Sequence, residues 1–258
     1  MGRRSVELAS EMVNVAKAGL SYRKGLPARV STLHRHRADS TALEVHMRPV
    51  VLLHGFAQTV ASLDVLRRRC AQAGFDTYTF NYKTLGVGVE SAGARLAAEL
   101  PGIVADAGAD RAHIVAHSMG GLVARAALAD PDAAAATATV TTLGTPHAGT
   151  PLAMAAGRLL PGASLLIGEF MPGSRVLSEL DAAPPPEGVT WTAYYSPDDR
   201  IVPGARGRMD VDGYGARNVE VAGLGHAGLI YDRRVVDAVV AELVADSRTM
   251  CARRPRRR

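Results

Sequence analysis

The chain has 258 residues, 47% of them hydrophobic and 21% charged. That is enough for one large α/β-type core, and no uninterrupted apolar run reaches the roughly 18 residues of a membrane span. The net charge of +5 does not mark a basic binding face: residues 1–48 hold nine Lys/Arg against four Asp/Glu, residues 253–258 hold five Arg, and residues 49–252 are therefore net −5. This excludes nucleic-acid binding by the core, and two cysteines, Cys70 and Cys251, exclude a disulfide framework.

In chain order, residues 5–20 place Leu8, Met12, Val15 and Gly19 at helical spacing, a modest amphipathic helix. Residues 21–48 are basic and loop-like, with a short strand predicted over Ala42–His46. Pro49-Val50-Val51-Leu52-Leu53 is a continuous β-branched and apolar run, the pattern of a strand buried on both faces. A helix is expected over Val60–Ala73, a strand over Phe75–Tyr82, and a helix over Glu90–Asp106 interrupted near Pro101-Gly102. Arg111–Val115 and Thr137–Leu143 read as strands, with a helix from Leu122 to Ala129 between them. Residues 151–187 mix Leu, Met, Ile and Phe with Gly and Pro, which predicts short helices crossing the top of the domain. Strands follow over Thr190–Tyr195 and Asn218–Val221, then a closing helix over Arg233–Ala245. The alternation of strands and helices predicts a mostly parallel central sheet with helices on both faces. The expected organisation is a leader (1–48), one α/β domain (49–247) carrying the 151–187 insertion, and an Arg-rich tail (248–258).

The chain is organised around Ala116-His117-Ser118-Met119-Gly120-Gly121, which joins a strand to a helix. Such a turn exposes the Ser118 hydroxyl above the sheet, and its crowded backbone needs small neighbours, here Ala116 and Gly120. A serine hydroxyl needs a base, and the base needs a carboxylate to orient it. Asp199 and His226 each fall just after a predicted strand, where an open parallel sheet gathers its functional groups. Asp198 is the alternative acid; the Asp-x-x-Val spacing before Pro203 favours Asp199. His117 and His147 are rival bases, expected instead to point away from the attacked carbonyl and to brace loops around the site, respectively, and His113 reads as structural. Two N–H groups must meet the developing oxyanion, and Met119 and Phe56 are the expected donors, Phe56 because Gly55 lets the backbone turn towards the site. Leu152, Leu165, Ile167 and Phe170 are expected to line an apolar wall, with limited lid movement hinged on the glycines. His34, His36 and His46 lack metal-ligand spacing, so neither metal nor other cofactor is expected.

With these residues in hand the chain resembles the α/β-hydrolase lipases, especially small bacterial lipases whose nucleophile motif begins with Ala. The resemblance is carried by Val51-Leu52-Leu53-His54-Gly55-Phe56, by the Ser118 motif, by Leu143–Thr150, by Asp199-Arg200-Ile201-Val202-Pro203 and by Gly225-His226. It implies an α/β-hydrolase fold with a short helical lid or cap, and hydrolysis of carboxylic esters, with acyl-glycerols or similar apolar esters as substrates. The same triad serves acyltransferases and thioesterases, and a non-catalytic membrane-docking protein is the reading of another class. No signal peptide or membrane segment is seen in the sequence, so the expected location is cytoplasmic, or peripheral if the Arg tail meets anionic lipid.

Overall fold

The computed structural model describes residues 34–36, 47–84, 86–152 and 168–253. Seven strands form one sheet: β1 (His34–His36), β2 (Val50–Leu53), β3 (Thr77–Phe80), β4 (Ala112–His117), β5 (Thr137–Leu143), β6 (Thr190–Tyr195) and β7 (Arg217–Glu220), in the order β1-β3-β2-β4-β5-β6-β7. Only β1 is antiparallel, against β3; every other pair is parallel. The helices are α1 (Asp64–Gln72), α2 (Val89–Asp106), α3 (Met119–Ala127), α4 (Pro131–Ala135), α5 (Arg175–Ala182), α6 (Gly228–Tyr231) and α7 (Arg233–Arg253).

All four residues of β2 are fully buried, which is why the sequence there is a continuous apolar run. Its side chains alternate between two cores. Val51 and Leu53 join Tyr78, Phe80, Ile114 and Ala116 under α2, α3 and α5. Val50 and Leu52 join Val115, Leu143 and Tyr194 under α1 and α7. Gly93 lets α2 close on α3: a Cβ there would lie 2.6 Å from Ala126 Cβ. From β2 the chain first steps outward to β3, then returns past β2 to β4. The loops leaving β2 and β4 therefore diverge and open a crevice at the carboxyl ends of the sheet.

Several elements differ from expectation. The first helix is divided into a 3-10 turn (Val60–Leu63) and α1. Helix α2 is continuous through Pro101, whose exposed position costs only one backbone hydrogen bond. Helix α7 runs to Arg253, so residues 248–253 continue the helix rather than begin the tail. Two described parts of the leader contact the domain: β1 extends the sheet, and Arg48 is buried between Asp110 (2.8 Å) and Asp246 (2.7 Å). Helix α4 was not foreseen; Asp130 caps it by accepting from the N–H groups of Asp132 and Ala133. The helix over 5–20, the strand over Ala42–His46 and residues 254–258 lie outside the described residues. Among the described residues no helix is long and apolar enough to cross a membrane.

Four histidines are buried in this architecture: His54, His113, His117 and His147. Burial holds each below its ordinary range, His54 and His113 down to about 4 and His117 and His147 well below 6.5. His113 meets Thr139 Oγ1 at 2.8 Å, packs edge-on against Phe75 and lies 3.9 Å from Asp246. Unfolding frees these rings to take protons near pH 6.5, so the unfolded state binds more protons and stability falls as pH drops from 7 towards 4. For His113 alone the loss is at most about 3 kcal/mol. The urea midpoint is expected to fall over that window, less steeply in His113→Gln than in the wild type; equal slopes would contradict this account of His113.

Candidate active site

Ser118 occupies the junction of β4 and α3 with φ 53° and ψ −122°. It is one of two non-glycine residues with positive φ among those described, the other being Ala57. Such a conformation costs about 1–3 kcal/mol and persists only where the surroundings impose it. Here Ser118 N–H donates to Leu143 O (2.9 Å), and its carbonyl accepts from Gly121 N–H (3.1 Å). The turn is pressed against its neighbours. A Cβ at Gly120 would lie 2.9 Å from the carbonyl oxygens of Leu53 and His54, and one at Gly121 would lie 2.1 Å from Thr145 Oγ1. Ser118 itself is partly exposed at the crevice.

The loop after β2 lies beside it. Gly55 N–H donates to Gln58 Oε1 (2.9 Å) and Ala57 N–H donates to Thr84 Oγ1 (3.0 Å). Between them, Phe56 N–H finds no acceptor among the described residues, and neither does Met119 N–H at the start of α3. The first turn of a helix leaves its N–H groups unpaired and carries partial positive charge, so Met119 is suited to an anion. His54, at the end of β2, is stacked on Tyr82 with ring centroids 4.5 Å apart, and the Tyr82 hydroxyl donates to the His54 carbonyl.

The carboxylate side is built by β6 and the turn after it. Asp199 is 2% exposed, and its Oδ1 accepts from the N–H groups of Ile201 (2.8 Å) and Val202 (2.9 Å). Its Oδ2 lies 2.7 Å from His226 Nδ1. An ionised carboxylate only accepts, so the neutral ring carries its proton on Nδ1 and has its unshared pair on Nε2. Asp198 is exposed and turned elsewhere: its Oδ2 accepts Gly223 N–H at 2.6 Å. That bond ties the turn after β6 to the loop carrying His226.

Ser118 and His226 are both built against the end of β5. Ser118 is bonded to Leu143, and the next residue, Gly144, faces the imidazole; a Cβ there would lie 3.2 Å from His226 Nδ1. Gly144 also has φ +60°. The ring of His117 lies 4.7 Å from that of His226 and is buried, and no carboxylate hydrogen-bonds it. His147 Nε2 meets Thr142 Oγ1 at 3.1 Å. Neither rival histidine is coupled to an acid as His226 is.

Of the four residues expected to line an apolar wall, Leu152 and Phe170 are among those described. The Phe170 ring packs edge-on against that of Phe56, centroids 5.8 Å apart, and the Phe170 carbonyl accepts Thr150 N–H at 2.7 Å. Leu152 is partly exposed at the start of the insertion. Leu165 and Ile167 lie outside the described residues. No group of His, Cys, Asp and Glu suited to a metal occurs among the described residues.

A family model described as the alpha/beta hydrolase fold matches residues 48–164. By its sheet, its connections and this match, the chain has the alpha/beta hydrolase fold. Among solved structures it is similar to the mature form of a lipase from Bacillus licheniformis, at 18% identity and a TM-score of 0.70 over 85% of this chain and 99% of that one. A monoacylglycerol lipase from Paleococcus ferrophilus gives 18% identity and a TM-score of 0.58, over 83% and 99%. An esterase from Rhodococcus sp. gives 18% and 0.56, over 83% and 94%.

The two carboxylates make separable predictions. Asp199→Asn is expected to lower kcat on a soluble ester by about 10⁴ with little change in KM, because the amide cannot hold the Nδ1–H tautomer. Asp198→Asn keeps a carbonyl acceptor for Gly223 and is expected to cost on the order of tenfold or less. Steady-state kinetics on both variants, with folding checked by circular dichroism, decides the matter. A more damaging Asp198→Asn would overturn the assignment.

Proposed function

We propose that the protein is a serine carboxylic-ester hydrolase, a lipase or esterase acting on apolar esters such as acyl-glycerols. The observation that carries the reading is the buried Asp199–His226 pair beside a strained Ser118 turn, both seated on the Leu143–Gly144 end of β5. The acyl chain packs against the apolar wall that starts at Phe56 and Phe170. His226 Nε2 takes the Ser118 proton as Oγ attacks the ester carbonyl, and the carbonyl π electrons move onto oxygen. The N–H groups of Phe56 and Met119 hold that oxyanion. The tetrahedral intermediate collapses, the alkoxide leaves with the proton from His226, and an acyl-enzyme remains. Water, deprotonated by His226, attacks the acyl-enzyme in the same way and releases the acid. Asp199 keeps the imidazole in the reactive tautomer and stabilises its charge when it forms.

Lipase and esterase neighbours in the same fold support the reaction class. The test is hydrolysis of nitrophenyl esters of graded chain length by the wild type and by Ser118→Ala. The wild type is expected to turn over acyl chains up to a cut-off set by the wall, and Ser118→Ala to fold but lose on the order of 10⁶ in kcat. Absence of turnover in the wild type, or a Ser118→Ala activity within about tenfold of it, would overturn the proposal.

A further inference from the structure

Gln58 has no place in the hydrolytic scheme, yet one of its atoms sits at the seam of the site. Its Oε1 lies 2.9 Å from Gly55 N and 2.9 Å from His117 Nδ1. Gly55 N–H can only donate, so the side-chain atom facing it is the amide oxygen; the amide nitrogen would set N–H against N–H. That oxygen then requires the hydrogen of His117 to be on Nδ1. Its third neighbour, Ser62 Oγ, is farther away at 3.4 Å and is itself bonded to Thr59 O (2.8 Å).

The packing leaves no slack. A Cβ on Gly55 would lie 2.9 Å from Ser118 Cβ, 3.0 Å from Gln58 Oε1 and 3.1 Å from His117 Nδ1. Loop, nucleophile turn and Gln58 amide therefore meet at one point. Gly55 precedes Phe56, and His117 lies two residues before Met119, so one oxygen is bonded to the backbone just before one proposed oxyanion donor and to a side chain two residues before the other.

We propose that Gln58 is a positioning residue whose amide oxygen, by accepting from Gly55 N–H and His117 Nδ1–H together, sets the spacing of the Phe56 and Met119 N–H groups around the oxyanion. This rests on the serine-hydrolase reading above. A second consequence concerns His117. Its ring is buried and neutral, held so by burial and by the neighbouring His226. A neutral ring can donate to only one of its two oxygen neighbours; with the hydrogen on Nδ1 the 2.9 Å bond to Gln58 is made, and the longer 3.3 Å contact of Nε2 with the His226 carbonyl carries no hydrogen. Without the Gln58 oxygen the preference reverses: the hydrogen moves to Nε2 and is donated to that carbonyl, while the Gly55 loop loses its tie to the nucleophile turn.

The test substitutes Gln58→Met, similar in length but without the acceptor. On a soluble nitrophenyl ester kcat is expected to fall about 10- to 100-fold with KM within about twofold of the wild type, the size expected for a misplaced transition-state contact. Selective ¹⁵N-histidine NMR reads the tautomer, with the His117 signals assigned by their loss in His117→Asn. The wild type is expected to show the Nδ1–H form and Gln58→Met the Nε2–H form, a change that a space-filling role would not produce. A kcat for Gln58→Met within about twofold of the wild type, or an Nε2–H tautomer in the wild type, overturns the proposal. Ser118→Ala run in parallel separates the two levels. If it stays active, the hydrolase reading falls by that result alone, while the tautomer still decides whether Gln58 governs His117.

Discussion

The site depends on a backbone contact. For Ser118 to stand at positive φ above the sheet, the first turn of α3 must press against the end of β2 and against the loop after β5. Side chains would prevent this at Gly120, where two carbonyl oxygens lie 2.9 Å from a would-be Cβ, and at Gly121, where Thr145 is closer still. The strain at Ser118, about 1–3 kcal/mol, is small beside the burial of β2, β4 and β5 in two cores. The sheet can therefore impose a conformation that the serine would not adopt alone. The same contact brings the loop after β2 to Ser118, so the proposed nucleophile and the proposed oxyanion donors are positioned by one piece of packing.

The proposed acid and base, Asp199 and His226, arrive from the other half of the sheet. Asp199 is fixed by two backbone N–H groups and Asp198 by none of them; the choice between neighbours is made by the turn after β6. Asp198 faces outward and fastens the loop after β7 instead, so the two adjacent carboxylates divide the work. One orients the His226 ring, and the other holds the loop on which the ring is carried. Gly144 completes the convergence, because any side chain there would displace the imidazole.

Much of this was legible in the sequence because it is local. Ser118 is recognisable from its small neighbours and from the change of period around it, and β5 and β6 follow the predicted bounds Thr137–Leu143 and Thr190–Tyr195. The antiparallel fold-class signal was absent for β1, since three residues, His34-Arg35-His36, carry no period and owe their strand to pairing with β3. Helix α2 was read as broken because Pro101 is a strong local signal, whereas packing on α3 outweighs one lost hydrogen bond. Gln58 could not have been singled out. Its partners are three residues away at Gly55 and 59 residues away at His117, and no spacing rule links an amide to both.

The central claim is that Ser118 is the group made nucleophilic by this geometry, and covalent trapping tests it most directly. A nitrophenyl alkylphosphonate offers phosphorus to the nucleophile and leaves a stable adduct resembling the tetrahedral state. Intact-mass and peptide-mapping measurements are expected to find one adduct per chain, on the peptide containing Ser118, with none in Ser118→Ala. An unlabelled wild type, or an adduct mapped to any other residue, would contradict the account.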